Sequence, residues 1–204
     1  MRSSPCGRDD DGVFEIRIHG RGGQGVVTAA ELLSVAAFAE DRHALAFPTF
    51  GSERTGAPVT SFCRIDDRPI RSREPIVEPD ALIVQDPTLL HQVDVFGGVG
   101  GDAYVLINTG RTLDELGLGD LARRFRPDRV VTVPATELAR THLGRPLPNA
   151  ALLGGFAALT GVVSIGSVAG AIRRRFSGAT GEGNVAAALA AHAALAERAE
   201  VSHA

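Results

Sequence analysis

Lysine is absent from this chain of 204 residues, and all 21 of its basic side chains are arginine. A Schiff-base lysine, a lysine nucleophile and the lysine of a phosphate-binding P-loop are therefore excluded. The formal net charge is -3, so the chain offers no strongly basic face for sequence-independent binding of nucleic acid.

Cysteine is nearly absent. The two thiols, Cys6 and Cys63, stand far apart, and no CxxC motif exists. The chain by itself therefore cannot supply four thiolates to an iron–sulfur cluster or to a cysteine-based zinc site. An ordinary reduced compartment suits it better than a disulfide scaffold, and no metal site is predicted on this chain.

Long apolar runs are also missing. No stretch of about 18 uncharged apolar residues is available to span a membrane, and residues 1–12 lack the apolar centre of a signal peptide. We expect a cytoplasmic protein with a flexible lead at residues 1–12 and a single domain over residues 13–204. With 44% hydrophobic residues, the chain is long enough to enclose one substantial core.

Short apolar strands alternate with helices along this domain. The periodicity predicts strands at residues 13–20, 43–47, 59–66, 80–86, 103–110 and 129–135. It predicts helices at residues 28–40, 148–161, 167–176 and 184–199, and the glycine-rich stretch 177–183 is interpreted as a connector. This order is typical of an α/β fold. We expect it to be Rossmann-like, with a mainly parallel sheet, helices on both faces and a helical C-terminal third.

The segment HGRGGQG, residues 19–25, stands between the first predicted strand and the first helix. Gly20, Gly22 and Gly25 satisfy the G-x-G-x-x-G pattern, which permits a tight turn and lets the backbone approach a phosphate at a helix N-terminus. A dinucleotide site also needs an acidic residue at the end of the second strand, and AFPTF supplies none. A dinucleotide and a purely structural turn both stay open. The other candidate residues of this loop are Arg21, Gly23 and Gln24.

A second candidate loop, FPTFGSERTGAPV at residues 47–59, is dense in glycine and proline. Ordering such a segment costs conformational entropy, and Pro48 and Pro58 restrict its ends. We interpret it as a shaped loop that presents a charged tip, with an exposed ion pair of little consequence as the alternative. Its candidate site residues are Gly51, Ser52, Glu53, Arg54 and Gly56.

Together the two loops resemble the gamma subunit of the 2-oxoacid:ferredoxin oxidoreductases, and most of all the pyruvate branch. The motifs GRGGQGVVTAAELL and FPTFGSERTGAPV carry the resemblance, and VLINTG, PNAALLGGFAALTG and GNVAAALAA follow in the same order. The resemblance spans roughly residues 13–195. Thr55 departs from the family pattern, which often has arginine or glycine there, and this leaves the substrate branch open.

The resemblance implies a subunit that works inside a larger enzyme. Such enzymes decarboxylate a 2-oxoacid on thiamine diphosphate, pass electrons through iron–sulfur clusters to ferredoxin or flavodoxin, and form a coenzyme A thioester. The gamma chain is expected to bind none of these cofactors alone and to carry no catalytic residue. Its expected partners are the alpha, beta and delta subunits, and its expected contribution is assembly and loops near the active site or coenzyme A. In agreement, Gly101-Asp102-Ala103 does not continue as a thiamine-binding motif.

Two other functions stay open from the residues alone. One is a stand-alone dehydrogenase that binds NAD(P) or a flavin dinucleotide, and the other is a scaffold module without a reaction. Among single residues, Arg54 is the first candidate for binding a carboxylate or a phosphate, because its guanidinium presents a fork of donors.

Several further polar residues have both a structural and a functional interpretation. Asn149 and Asn184 are predicted helix N-caps, with a ligand contact as the alternative for each. His19 and Asp86 end predicted strands at the edge where ligands of α/β sheets bind, and a structural role is open to each. The run of Arg173, Arg174 and Arg175 is interpreted as a solvated helix end.

Overall fold

The structure is a computed structural model that describes residues 12–49 and 55–202, with side chains described as far as residue 198. Its strands are β1 (Phe14–Arg21), β2 (His43–Pro48), β3 (Pro58–Asp66), β4 (Ala81–Val84), β5 (Tyr104–Asn108) and β6 (Val130–Val133). Its helices are α1 (Val26–Phe38), α2 (Gly119–Ala122), α3 (Ala135–Leu143), α4 (Asn149–Thr160), α5 (Ile165–Arg175) and α6 (Gly178–Ser202). Every predicted strand and helix has a counterpart among these elements. The predicted flexible lead, except for Gly12, lies outside the described residues.

The strands form one mixed six-stranded sheet in the order β2-β3-β1-β4-β5-β6. The pairs β1–β4, β4–β5 and β5–β6 are parallel, whereas β3 is antiparallel to both β1 and β2. The expected α/β fold with a mainly parallel sheet is confirmed. The sheet differs from a plain Rossmann order in one respect, because β3 returns between β1 and β2 and separates them.

One face of the sheet is covered by the long helices. Ile16 and Ile18 of β1 and Leu106 of β5 are fully buried beneath α1, α4, α5 and α6. Helix α4 is apolar on all sides because it lies between the sheet and α6, and residues 149–157 are all buried. Within the described part of the chain, no helix is long and apolar enough to cross a membrane.

The second face carries the short helix α2 together with 3-10 turns and loops. A buried arginine, Arg17 of β1, holds the loops on this face in place. Its guanidinium donates hydrogen bonds to the carbonyl oxygens of Ile76 (3.3 Å), Val77 (3.1 Å), Val95 (3.0 Å) and Gly97 (2.6 Å). Burial lowers the pKa of Arg17, and the nearby charge of Asp94 partly opposes this effect. Arginine therefore serves as an internal cross-link for the loops over this face.

All but the first residue of the glycine-rich stretch 177–183 belong to a helix, so its interpretation as a connector is wrong. Helix α6 begins at Gly178, and its glycines permit close packing. A Cβ on Gly183, for example, would lie 2.8 Å from the carbonyl oxygen of His142. Asn184 is not an N-cap either, because its Nδ2 donates to the carbonyl oxygen of Thr180 one helical turn earlier, at 2.8 Å.

Candidate functional site: the glycine loop and its anchor

Three segments meet where β1 and β4 end. The glycine loop, residues 20–25, begins in the last two residues of β1, and Gln85 and Asp86 follow β4, while residues 55–57 lead into β3. Parallel strands end at the same edge of a sheet, and the antiparallel β3 begins there, so the topology brings these segments together. Ligands of open α/β sheets bind at this edge, which makes it the candidate site.

Backbone geometry explains the glycines of the loop. Gly23 and Gly25 have φ angles of 90° and 75°, a left-handed conformation that glycine adopts without steric cost. Gly25 is also the N-cap of α1. A Cβ on Gly20 would approach Cγ2 of Val26 to 2.6 Å. The structure thus contains the tight turn and the close approach of strand and helix that the glycine spacing predicts.

Arg21 is bonded on all sides within the protein. Its guanidinium donates to Asp86 Oδ2 (3.1 Å), the carbonyl oxygen of Gly56 (3.0 Å), Thr88 Oγ1 (2.7 Å) and Gln92 Oε1 (2.7 Å). These bonds tie the glycine loop to the segment after β4 and to the second loop. Arg21 therefore shapes the loop, and its donors are directed to the protein.

Asp86 accepts hydrogen bonds from Arg21, Gln24 and Thr88. Its Oδ2 also accepts from Gln24 Nε2 at 2.8 Å, and its Oδ1 accepts from the backbone N–H of Thr88 at 2.9 Å. Burial alone would raise the pKa of Asp86. The hydrogen bonds from Thr88 and Gln24 and the charge of Arg21 outweigh burial, so the pKa is lowered from its ordinary value. Of its two open roles, Asp86 has the structural one, because it caps the 3-10 turn Pro87–His91 and anchors the glycine loop.

Side-chain amides brace the loop from the neighbouring strands. Gln24 Oε1 accepts the N–H of Arg21 at 2.9 Å, and the Nε2 of buried Gln85 donates to the carbonyl oxygen of Gln24. Asn108, at the end of β5, donates in turn to the carbonyl oxygen of Gln85 at 2.8 Å. Gln85 and Asn108 were not among the predicted site residues. Polar residues that end apolar strands, as in ALIVQD and VLINTG, were the signal for them.

The two candidate loops pair through their backbones. The N–H of Gly22 donates to the carbonyl oxygen of Ala57 at 2.9 Å, and the N–H of Gly56 donates to the carbonyl oxygen of Gly22 at 3.0 Å. Residues 20–25 and 55–57 therefore form one unit, called the loop pair below. The predicted site residues Gly51, Ser52, Glu53 and Arg54 lie outside the described residues, so their role stays a prediction.

A cleft of about 520 Å³ opens beside the loop pair. It is lined by Gly22, Gly23 and Thr55 and by the first turn of α1, residues 26–28. N–H groups in the first turn of a helix have no partner within the helix, and they attract anions. The hydroxyl of Thr28 adds a polar group to this turn. The cleft therefore offers the donors that a phosphate or a carboxylate requires.

Asn149 contacts the glycine loop and does not cap α4, so the cap prediction is wrong. The N-cap of α4 is Pro148, and no side chain caps this end. Asn149 is buried, and its Oδ1 accepts from the N–H of Ala150 at 3.0 Å. Its Nδ2 lies so close to Gly25 that a Cβ there would approach it to 2.7 Å. Asn149 thus packs the start of α4 against the start of α1, next to the cleft.

The sheet order argues against a dinucleotide site. Because β3 stands between β1 and β2, the end of β2 lies two strand spacings, about 9–10 Å, from the end of β1. In the described residues, β2 ends with Pro48 and is followed by Thr49, whereas Asp41 precedes the strand. A carboxylate that could bind a ribose beside the glycine loop is therefore missing from the described end of β2, which disfavours a stand-alone dehydrogenase.

The remaining candidates lie outside the lining of the cleft. His19 Nδ1 is 3.2 Å from Thr60 Oγ1, and burial together with the charge of Arg17 lowers the pKa of His19 to about 4. Arg173 forms an exposed ion pair with Glu182. Nowhere in the part of the chain that the structure describes do three or more His, Cys, Asp or Glu side chains group as a metal site requires.

Comparison with known proteins identifies the family. The family model described as pyruvate ferredoxin/flavodoxin oxidoreductase matches residues 15–194, which include the loop pair and the cleft. The chain belongs to this family. The "Pyruvate/ketoisovalerate oxidoreductases common subunit gamma" of Pyrococcus abyssi is 50% identical over 176 residues, which are 86% of this chain and 94% of that relative. The "Pyruvate synthase subunit PorC" of Methanosarcina barkeri is 51% identical over 159 residues, 78% of this chain and 84% of that relative.

One solved structure agrees with this membership of the pyruvate ferredoxin/flavodoxin oxidoreductase family, and a more distant one shares the fold. Pyruvate oxidoreductase subunit PORC of Thermotoga maritima superposes with a TM-score of 0.76 at 30% identity, over 90% of this chain and 97% of that chain. A 2-oxoglutarate:ferredoxin oxidoreductase from Magnetococcus marinus shares the fold, with a TM-score of 0.66 at 18% identity, over 93% of this chain and 32% of that chain. The resemblance to gamma subunits seen in the two loop motifs is confirmed.

Substitution of Asp86 tests the anchor of the loop pair. We expect Asp86→Asn to lower the free energy of unfolding by about 1–3 kcal/mol, because the half-buried Arg21 loses its carboxylate partner. Urea denaturation at pH 7 measures the change. Asp120→Asn is the matched control, since Asp120 pairs with Arg123 on the exposed surface and such pairs contribute less than about 1 kcal/mol. Equal losses at the two positions would contradict the anchoring role of Asp86.

Proposed function

We propose that this chain is the gamma subunit of a thiamine diphosphate-dependent 2-oxoacid:ferredoxin oxidoreductase that converts pyruvate to an acyl-CoA. Its family and the gamma-subunit names of its relatives support the proposal. The observation that carries it is the loop pair, because the two motifs that mark the family are bonded to each other beside an anion-compatible cleft. The chain contributes assembly surfaces and this cleft, and its partners carry the redox centres.

The side chains of this chain are poorly suited to hold the redox cofactors. Cys63 is fully buried, and burial raises the pKa of its thiol to about 12, so it is a poor source of the thiolate that a cluster needs. The chain also lacks a thiamine-binding motif, because Gly101-Asp102-Ala103 does not continue as one. We therefore assign thiamine diphosphate and the iron–sulfur clusters to the alpha, beta and delta partners, with ferredoxin or flavodoxin as electron acceptor.

Coenzyme A is the group whose chemistry fits the cleft. Its phosphates are anions, and the first turn of α1 offers N–H donors together with the hydroxyls of Thr28 and Thr55. When bound, coenzyme A supplies the thiol that accepts the acyl group. The contribution of this chain is to orient an anionic part of that molecule, while the bonds between Arg21 and Asp86 keep the loop pair in the shape that leaves the cleft open.

Production of the chain together with its partner subunits tests the function. We expect a stable complex that reduces ferredoxin, or a viologen dye in its place, only when both pyruvate and coenzyme A are supplied. A chain that stays alone and binds NAD(H) would contradict the proposal and favour the stand-alone dehydrogenase.

A glutamate at position 28 tests the cleft within that complex. Because Thr28 lies in the first turn of α1, Thr28→Glu places a negative charge where the anion is expected. We expect the KM for coenzyme A to rise about tenfold or more, with little change in kcat. The free chain should keep its stability, since an acidic residue in the first turn suits the helix dipole. Thr28→Gln is the neutral control of equal size, and an unchanged KM in the glutamate variant would remove coenzyme A from this cleft.

A further inference from the structure

The two edge strands of the sheet differ in how their outward backbone groups are bonded. At the β6 edge, Arg198 of α6 donates to the carbonyl oxygen of Thr132 at 3.0 Å, so the chain's own side chain occupies a backbone acceptor of that edge strand. At the opposite edge, β2 pairs only with β3 among the described strands. An edge strand exposes a row of backbone donors and acceptors that another strand can use.

The register shows which backbone groups of β2 point outward. Thr49 is opposite Thr60, and its N–H donates to the carbonyl oxygen of Thr60 at 2.9 Å. In an antiparallel pair, hydrogen-bonded residues alternate with residues whose backbone groups face away. Leu45 and Phe47 therefore bond to β3, while the N–H and carbonyl groups of Ala44 and Ala46 face the open edge. None of residues 44–47 is charged, so the middle of the edge lacks the charged side chains that usually prevent pairing.

A groove of about 610 Å³ runs beside this edge, between α1, β2 and α5. Its apolar lining includes Leu32 and Val35 of α1, Ala44 and Ala46 of β2 and Ala171 of α5. Phe38, whose side chain is 71% exposed, lies one turn beyond Val35 on the same side of α1. The groove therefore offers apolar contacts to a segment that adds to β2.

Charge at the rim of the groove restricts what can occupy it. Arg174 and Arg175 line the groove together with Glu31, so its rim is net positive. Arg173, by contrast, is bonded to Glu182 and is not part of the lining. A second copy of this chain, docked about a two-fold axis, would place the same positive rim against itself. A segment that carries a carboxylate would complement the rim.

We propose that the β2 edge and this groove receive an extended segment of another subunit of the enzyme, which adds to the sheet as a seventh strand. The segment bonds to the outward backbone groups of Ala44 and Ala46, and it presents small or medium apolar side chains to the groove. A carboxylate of the segment meets Arg174 and Arg175. This mode of binding takes its affinity from main-chain hydrogen bonds and its specificity from alternate side chains. The proposal rests on the proposed place of the chain in a multi-subunit enzyme.

Hydrogen exchange at single amides tests the added strand. The chain is compared alone and in the purified complex, with residue-level readout by mass spectrometry. We expect the amides of Ala44 and Ala46 to exchange about tenfold or more slowly in the complex than in the free chain, because they gain hydrogen-bond acceptors. The amides of Leu45 and Phe47, which already bond to β3, are the internal control and should be protected in both states.

Two variants separate the backbone contact from the charge contact. Ala46→Pro removes an outward N–H without removing a bond to β3, and we expect it to lower the affinity for the partner subunits about tenfold. Ala46→Ser keeps the amide, and its affinity should stay within about twofold of that of the unaltered chain. Arg174→Glu should also weaken assembly about tenfold, while Arg124→Glu, on the other face, serves as its control. Denaturation of the free variants verifies that each one folds. If Ala46→Pro does not fold, Arg174→Glu still tests the proposal.

The outcomes are distinct. A complex that forms with unchanged exchange at Ala44 and Ala46 overturns the added strand and leaves the proposed function intact. Failure of the unaltered chain to enter any complex counts against the proposed function instead. Protection of Ala44 and Ala46 in the free chain that increases with protein concentration overturns the proposal in favour of a second copy of this chain as the occupant.

Discussion

Replacement of Gly154 by alanine is expected to lower the free energy of unfolding by about 3 kcal/mol or more. A Cβ at this position would overlap the carbonyl oxygen of Ala188 and lie 2.6 Å from its carbonyl carbon. The obstacle is backbone, so no change of side-chain rotamer relieves it, and α4 and α6 must move apart. Because α4 lies between the sheet and α6, that movement disturbs the core on the helical face. Urea denaturation of the free chain measures the loss.

Two other helical glycines provide matched controls for this substitution. A Cβ on Gly155 would meet Cδ1 of Leu195 at 3.3 Å and the end of Leu106 at 3.6 Å, both of them flexible side-chain atoms, so Gly155→Ala should change stability by less than about 1 kcal/mol. Gly170, in α5, has no atom within 4 Å of such a Cβ, and Gly170→Ala should stabilise the chain by about 0.5–1 kcal/mol. Similar effects at all three positions would show that helix propensity, and not the contact with α6, determines the outcome.

Most elements of the fold could be predicted because burial leaves a local pattern in the sequence. The alternation of VFEIRI and the apolar runs ALIV and YVLIN mark buried strands, and each forms one. The position of β3 could not be predicted in this way. Strand order depends on pairing between segments that are distant in sequence, such as Ile16 opposite Cys63, and no local pattern encodes that pairing. The insertion of β3 is what separates β2 from the glycine loop.

The candidate site could be predicted only in part for the same reason. The spacing of Gly20, Gly22 and Gly25 was sufficient to place a tight turn before α1. The anchor of that turn was not visible, because Arg21 and Asp86 are 65 positions apart and their pairing requires the sheet to form. The sequence predicts Asn149 as a helix cap because it follows a proline at the start of a helix. Its proximity to Gly25 arises from packing between α4 and α1.

Glycine has two structural roles in this chain, and the sequence alone does not distinguish them. In the loop pair, Gly23 and Gly25 provide positive φ angles, as the interpretation of the loop required. In residues 177–183, the glycines lead to the interpretation of a connector, yet Gly181 and Gly183 allow α6 to approach the backbone of Phe176 and of His142. The difference lies in what surrounds each glycine, and a sequence without its neighbours in space does not contain that information.

The stability of the chain is expected to fall by about 3 kcal/mol between pH 7 and pH 4 through the titration of His19 alone. Burial, followed by the charge of Arg17, lowers the pKa of His19 to about 4, and Asp94 only partly opposes this. The unfolded chain, with an ordinary histidine pKa near 6.5, therefore binds this proton first as the pH falls. The contribution of neutral His19 to the free energy of unfolding is fully present above about pH 6.5 and is progressively lost towards pH 4.

His19→Asn isolates this contribution, because asparagine offers Thr60 a polar partner in place of Nδ1 and does not titrate. The difference in unfolding free energy between the wild type and this variant, measured by urea denaturation at half-unit steps from pH 7 to pH 4, should shift by about 3 kcal/mol in favour of the variant as the pH falls. His91→Asn, a substitution at an exposed histidine, is the matched control and should leave the pH dependence of the wild type in place. A pH-independent difference for His19→Asn would mean that the pKa of His19 is not lowered in the folded chain, in conflict with its burial.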